Sequence, residues 1–256
     1  MNSVADLSFE HNPSLKKIPL SNKGFIVRAK ALEYYKAGWN IVPVIDWDNL
    51  KRPDLTTWAE FKERRATADE FSQWLETKPF NRLGVISGRE SGFYVLDVDV
   101  PDIEDGIFPE LEPFREYLLS CPRERTPGGG WHIFVGIPEN IAGVEFVAPH
   151  LDYRFPSGAK GELRTQGDMT VIAPSPGYET KRPFDLSVPI PALPFGLFPL
   201  LWKNSKQGIR GADAGEQIAA APVRRTKTIK REPSRATVGD WYDETLRDPA
   251  TALAVM

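Results

Sequence analysis

Apolar residues recur at helical spacing between Val27 and Ala37, where Ala29, Leu32, Tyr35 and Ala37 predict an amphipathic helix stopped at Gly38. Ile41 to Ile45 is a continuous apolar run and reads as a strand. A polar turn containing Lys51, Arg52 and Pro53 is expected next. Thr67 then precedes Asp69 to Thr77, a second helix with Phe71 and Trp74 on its buried face. Leu83 to Ile86 and Phe93 to Val98 are short apolar runs separated by Ser87-Gly88 and Ser91-Gly92, the pattern of adjacent core strands joined by a tight turn. Glu110 to Ser120 predicts a further helix, and the glycine turn Gly128-Gly129-Gly130 feeds a strand through Trp131 to Val135. Glu162 to Arg164 and Met169 to Pro174 read as two more strands, joined by Gln166-Gly167-Asp168. Helices and strands mix without a strict βαβ rhythm, which predicts an α+β fold.

The pattern changes twice towards the C-terminus. Beyond Tyr178 prolines accumulate (Pro183, Pro189, Pro191, Pro194, Pro199), but Leu193, Phe195, Leu197, Leu201 and Trp202 interleave with them. An ordered wrap over the core is expected there. From Lys203 apolar residues thin out, and Arg224, Arg225, Lys227, Lys230, Arg231 and Arg235 form a basic cluster. The organisation read from this is a leader over 1–24, one main domain over 25–202, and a basic linker or tail over 203–256. Asp240 to Val255 is expected to be a terminal helix. The basic run is a solvated linker, or it tracks a nucleic-acid backbone.

Composition narrows the chemistry. Hydrophobic residues at 41% and aromatics at 11% are enough for a packed core, which argues against a disordered protein. Cys121 is the single cysteine, excluding an internal disulfide and a cysteine-based zinc site. Histidines occur only at His11, His132 and His150, which argues against a histidine-rich metal centre. The start of the chain lacks an apolar signal core and no run approaches membrane-spanning length, so a soluble cytoplasmic protein is expected. A net charge of −3 does not by itself announce a nucleic-acid partner.

Three elements carry candidate chemistry. Asp97 and Asp99 end an apolar strand, and side chains two apart share a face. Two carboxylates side by side repel each other and resist burial; Mg²⁺ or Mn²⁺, which favour hard oxygen ligands, relieve both penalties. His132 follows the glycine triplet, where the backbone of Gly129 and Gly130 can approach an anion and offer amide groups to phosphate. A hairpin turn followed by a satisfied histidine explains the same residues. Glu162 and Arg164 share a strand face, as a site carboxylate beside a cation or as a surface ion pair worth little.

The order of these elements resembles the prim-pol group of archaeo-eukaryotic-type primases, the N-terminal domains of bifunctional DNA primase/polymerases. That family's acidic strand, small-x-His element and later hydrophobic-acidic strand are matched by Leu96-Asp97-Val98-Asp99, Gly130-Trp131-His132 and Gly161-Glu162-Leu163. Ala31 to Tyr35 with Gly38-Trp39, Lys51-Arg52-Pro53, Leu83 to Gly88 and Val171 to Ser175 fit the surrounding pattern, over about residues 27 to 180. Gly130 stands where classical primases often carry serine, and Glu162 where aspartate is commoner.

The resemblance implies a primase-like core with an RRM-like sheet and template-dependent nucleotidyl transfer during DNA replication. It implies two Mg²⁺ or Mn²⁺ ions held by Asp97, Asp99 and Glu162, with His132 on the triphosphate. Arg164 and Lys51 are weaker candidates for phosphate or template contact, and Trp131 is a core residue or a stacking platform. DNA template and primer, NTPs or dNTPs, and a helicase or replisome are the implied partners; a phage or plasmid origin is suggested by analogy. Two rivals explain part of the pattern. A glycosyltransferase would use Asp97 and Asp99 but leaves His132 and Glu162 without a role. A non-catalytic single-strand-binding accessory protein would keep the core without turnover.

Overall fold

The structure, a computed structural model, describes residues 22–47, 50–100, 103–104, 106–137 and 150–206. The basic cluster Arg224 to Arg235 and the expected helix over Asp240 to Val255 lie outside the described residues, as do residues 1–21 of the expected leader. Helix α1 (Asn22–Lys36) leads into β1 (Ile41–Trp47) and β2 (Leu50–Pro53). After α2 (Ala68–Thr77) come β3 (Arg82–Ile86), β4 (Phe93–Val98) and α3 (Arg115–Ser120). Six strands follow: β5 (Arg123–Arg125), β6 (Trp131–Gly136), β7 (His150–Arg154), β8 (Lys160–Arg164), β9 (Met169–Ile172) and β10 (Glu179–Arg182). Helix α4 (Leu197–Lys203) is the last described element.

The strands form two antiparallel sheets, one ordered β2-β1-β3-β9 and the other β10-β5-β6-β4-β8-β7. This mixture of helices with antiparallel sheets is an α+β architecture. Alternation along β4 assigns its side chains to two cores. Phe93 and Val95 join Phe134, α1, α2 and the inner residues of the four-stranded sheet in one buried cluster. Tyr94, Leu96 and Val98 join Trp131, Ile133, Leu163 and Leu118 in a second. Leu193, Leu197 and Leu201 complete that second cluster, so the proline-rich segment is an ordered wrap.

Local chemistry accounts for the helix ends. Thr67 Oγ1 accepts from the Glu70 N–H at 3.2 Å while the Glu70 carboxylate accepts from the Thr67 N–H at 2.8 Å, a reciprocal cap that starts α2. Among the described residues no helix is long and apolar enough to cross a membrane.

Three expectations need correction. Lys51, Arg52 and Pro53 are not a turn but part of β2, an edge strand paired with β1 through Asp46–Lys51 and Val44–Pro53. Ladder hydrogen bonds override polar side chains there, and an edge position tolerates proline. The runs Leu83–Ile86 and Phe93–Val98 are not neighbours in one sheet but belong to different sheets. Among the described residues the bridge Gly88–Phe93 joins their ends, and Ser91 Oγ donates to the Ile86 carbonyl at 2.6 Å and accepts from the Asn40 N–H at 3.0 Å. Both runs are apolar on two faces, and a second layer covers what one sheet would leave exposed. The helix expected over Glu110 to Ser120 is broken: a 3₁₀ turn over Glu112–Phe114 precedes α3, since Pro113 has no N–H to give a continuous helix.

Candidate functional site

Phe93, Val95 and Asp97 share one face of β4, and the face turns from core to cleft at the third of them. Asp97 lies directly opposite His132 on β6 and Glu162 on β8. His132 in turn lies opposite Glu124 on β5, and Glu162 opposite Asp152 on β7. One row across the sheet therefore reads Glu124, His132, Asp97, Glu162, Asp152. Asp99 stands one residue beyond the end of β4, exposed, and lines the same clefts as Asp97.

His132 is buried and held from both sides. Glu124 Oε1 accepts from Nδ1 at 2.8 Å, and Nε2 lies 3.7 Å from Asp97 Oδ2. The second oxygen of Glu124 accepts from the Ala173 N–H at 2.8 Å, just past β9 of the other sheet. Glu124 is thus a buried carboxylate that ties the histidine to the opposite wall. Burial lowers the basicity of His132, but the Asp97 and Glu124 carboxylates outweigh it and raise its pKa above the usual imidazole value. For Asp97 the balance also goes to the charged form. Burial pushes its carboxyl up, whereas His132 and Arg164 draw it below the usual range.

Arg164 gathers the remaining carboxylates, with nitrogens 2.7 Å from Glu162, 3.6 Å from Asp97 and 3.5 Å from Asp168. His132 and Arg164 both approach Asp97 through Oδ2; among the described residues Oδ1 has no such contact. Among the described residues no three His, Cys, Asp or Glu side chains already converge as a cation cage. Asp97 and Asp99 remain a hard-oxygen pair open to solvent, while Glu162 is turned to Arg164.

The cleft above this row has a volume of about 320 Å³. Asp97, Asp99, His132 and Arg164 line it from one sheet; Thr170 and Val171 of β9 and Lys51 of β2 line it from the other. Lys51 Nζ donates to Tyr178 Oη at 2.8 Å, and the Tyr178 ring lies 5.7 Å from the His132 ring. Glu162 lines a different cleft, on the far side of the acidic pair.

The glycines act differently from the expectation. The Gly129 N–H donates to the Thr126 carbonyl at 3.0 Å and the Gly130 N–H to Thr126 Oγ1 at 3.1 Å, so these amides close the turn and are not offered to phosphate. What they supply is a tight path. Gly129 sits at φ +85°, and a Cβ on Gly130 would lie 3.0 Å from the Val98 carbonyl and 3.2 Å from Asp99. Trp131 points away from the cleft into the second core, under the Arg125 guanidinium.

Two residues have roles that the sequence does not announce. Glu124 looks like an ordinary charge in Arg-Glu-Arg, and only the β5–β6 register reveals its partner. Gly161 packs against Asp97: a Cβ there would lie 2.2 Å from the Asp97 carbonyl and 2.3 Å from Tyr153 Oη, which donates to that carbonyl at 2.9 Å.

No curated protein matches the chain by sequence. The profile of the bifunctional DNA primase/polymerase N-terminal domain matches residues 31–195, which takes in every strand of both sheets and each residue of the charged row. That match covers more than half of the chain, and the protein belongs to the Prim-Pol family, whose chemistry is nucleotidyl transfer.

Proposed function

We propose that this protein is a template-dependent DNA polymerase or primase domain that adds nucleotides to a 3′-hydroxyl during DNA replication. The observation that supports this reading is the convergence of Asp97, Asp99, His132 and Arg164 on one cleft of about 320 Å³. Such a cleft sets cations and hydrogen-bond donors against a polyphosphate, beside carboxylates that a divalent ion neutralises.

The donor set fits a hard cation, since Asp97 and Asp99 are carboxylates open to the cleft and Asp97 is held in its charged form. In our reading Asp97, Asp99 and Glu162 hold two Mg²⁺ or Mn²⁺ ions, with Glu162 leaving Arg164 to do so. When bound, the ions supply Lewis-acid activation of the attacking hydroxyl and neutralise charge on the departing pyrophosphate. His132 presents its Nε2 edge to the triphosphate, with Glu124 fixing the ring from behind. Arg164, released from Glu162, is free to bridge phosphate oxygens through its planar fork. Lys51 and Tyr178 close the outer wall.

Purified protein with Mg²⁺ or Mn²⁺ is expected to extend a primed template. Asp97→Ala is expected to reduce extension by about 10³-fold and weaken dNTP binding. Absence of extension together with unchanged nucleotide binding in Asp97→Ala overturns the reading. A parallel assay on unprimed single strands with labelled NTPs and dNTPs separates chain initiation from elongation.

A further inference from the structure

Beside the acidic row lies a row of the opposite sign. On the same face of β7 and β8, one step towards the open end of the sheet, Lys160 is directly opposite Arg154. Continuing the β4–β8 register brings Asp99 level with Lys160. Both basic side chains are exposed, and among the described residues neither has a hydrogen bond or ion pair. Like charges directly opposite across an antiparallel pair cost stability. Neither Asp152 nor Glu162 is paired with them: Asp152 is held by Lys206 at 2.7 Å, and Glu162 by Arg164, which leaves Asp99 as the acid beside Lys160. The backbone here is pinned, since the Arg154 N–H donates to the Asn204 carbonyl at 2.9 Å and Tyr153 bridges to Ser205. The fold therefore holds two exposed cations, with no ion pair among the described residues, in fixed register at the edge of the site.

These cations line the second cleft, of about 340 Å³, together with Asp97, Asp99, Asp152 and Glu162. The two clefts meet at Asp97 and Asp99 and share no other lining residue. A reaction that joins two substrates needs such a layout, with each substrate entering from its own side and both meeting at one pair of carboxylates. The first cleft has His132 and a neighbouring Tyr178 ring beside it. The second has exposed cations, the pattern that tracks a phosphate backbone without reading bases.

We propose that the second cleft takes the nucleic-acid strand being extended, with Arg154 and Lys160 gripping backbone phosphate next to its 3′ end while the nucleotide enters through the first cleft. This rests on the polymerase reading above and adds to it a separate strand-binding subsite. Binding of a fluorescent single-stranded oligonucleotide, followed over a series of salt concentrations, tests it. Arg154→Ala/Lys160→Ala is expected to weaken binding by about tenfold or more at low salt. Removing two phosphate contacts should also make the log–log salt slope shallower by about 1.4. Binding of dNTP should stay unchanged, and the melting temperature should hold or rise because a like-charge pair is gone. Arg154→Lys/Lys160→Arg keeps both charges and should keep the slope. An unchanged slope in the alanine variant, or an equal loss of dNTP affinity, overturns the strand subsite; if wild-type extension still depends on Asp97, the polymerase reading survives that result. A wild-type protein that neither extends a primer nor binds the strand overturns both.

Discussion

The two faces of β4 carry the same strand to different ends. On one face Tyr94, Leu96 and Val98 are all buried among aliphatic and aromatic neighbours. On the other, Phe93 and Val95 are buried under the four-stranded sheet, but Asp97, with 21% of its side chain exposed, opens onto the cleft. The backbone geometry is the same, so the covering layer makes the difference. Where that layer packs down, apolar residues maximise buried area; where it stands away, charge is tolerated because solvent and counter-charges reach it. The site is the place where the second layer stops being a core and becomes a wall.

Adjacent substitutions on opposite faces should separate the two roles most sharply. Asp97→Ala is expected to reduce nucleotide incorporation by about 10³-fold while the protein still unfolds cooperatively near the wild-type temperature. Leu96→Ala, one residue away, should lose about 2–5 kcal/mol of stability by denaturant titration, because it empties a fully buried position. If Asp97→Ala unfolds the protein, or Leu96→Ala removes activity without loss of stability, the division between the faces fails.

Glu124 probes the link between the wall and the row. Glu124→Ala strands the His132 Nδ1–H and the Ala173 N–H, both buried, and should cost about 2–4 kcal/mol together with a weaker grip on dNTP. Glu124→Gln keeps one acceptor and should recover part of both losses, measured by urea midpoint and by nucleotide titration.

Gly161→Ala is a smaller disturbance with a defined target. The new methyl meets the Asp97 carbonyl and Tyr153 Oη, so β8 must shift from β4 at a cost of about 1–3 kcal/mol. Extension activity should fall with it, since Glu162 is carried on the same strand.

A carboxylate outside the cleft supplies the weakest contrast. Arg64 holds Glu70 down to about 2, mainly through direct hydrogen bonds, at the start of α2. A depressed carboxylate stabilises the fold above its ordinary value near 4.5, and that contribution fades as pH falls towards 2. The melting temperature should drop over this window in wild type and respond less in Glu70→Gln. Nucleotide binding at neutral pH should be unaffected by that substitution.

Local signals were legible because they are read within a few residues. Thr67 ahead of α2, the apolar run of β4 and the glycine turn before β6 follow from propensity and period alone. Asp97, His132 and Glu162 stand out in the sequence because two of them end or begin apolar strands and all three match an ordered family pattern. The sheet assignment was not legible. Leu83–Ile86 and Phe93–Val98 look like hairpin partners, but beyond a short turn at Gly88 the chain sends each strand to a different layer.

By itself, then, the sequence determined the apolar runs that become α1, α2, β1, β3, β4, β6 and β9, and which carboxylates and histidine are available for chemistry. Period, charge and turn chemistry act over short separations and are written in consecutive residues. Tertiary structure alone decided that Glu124 stands behind His132, that Arg164 reaches Asp97 as well as Glu162, and that Arg154 faces Lys160. Those contacts depend on the register between paired strands, and for Arg164 and Asp97 on strands far apart in the chain; a shift of one residue would turn every side chain to the other face.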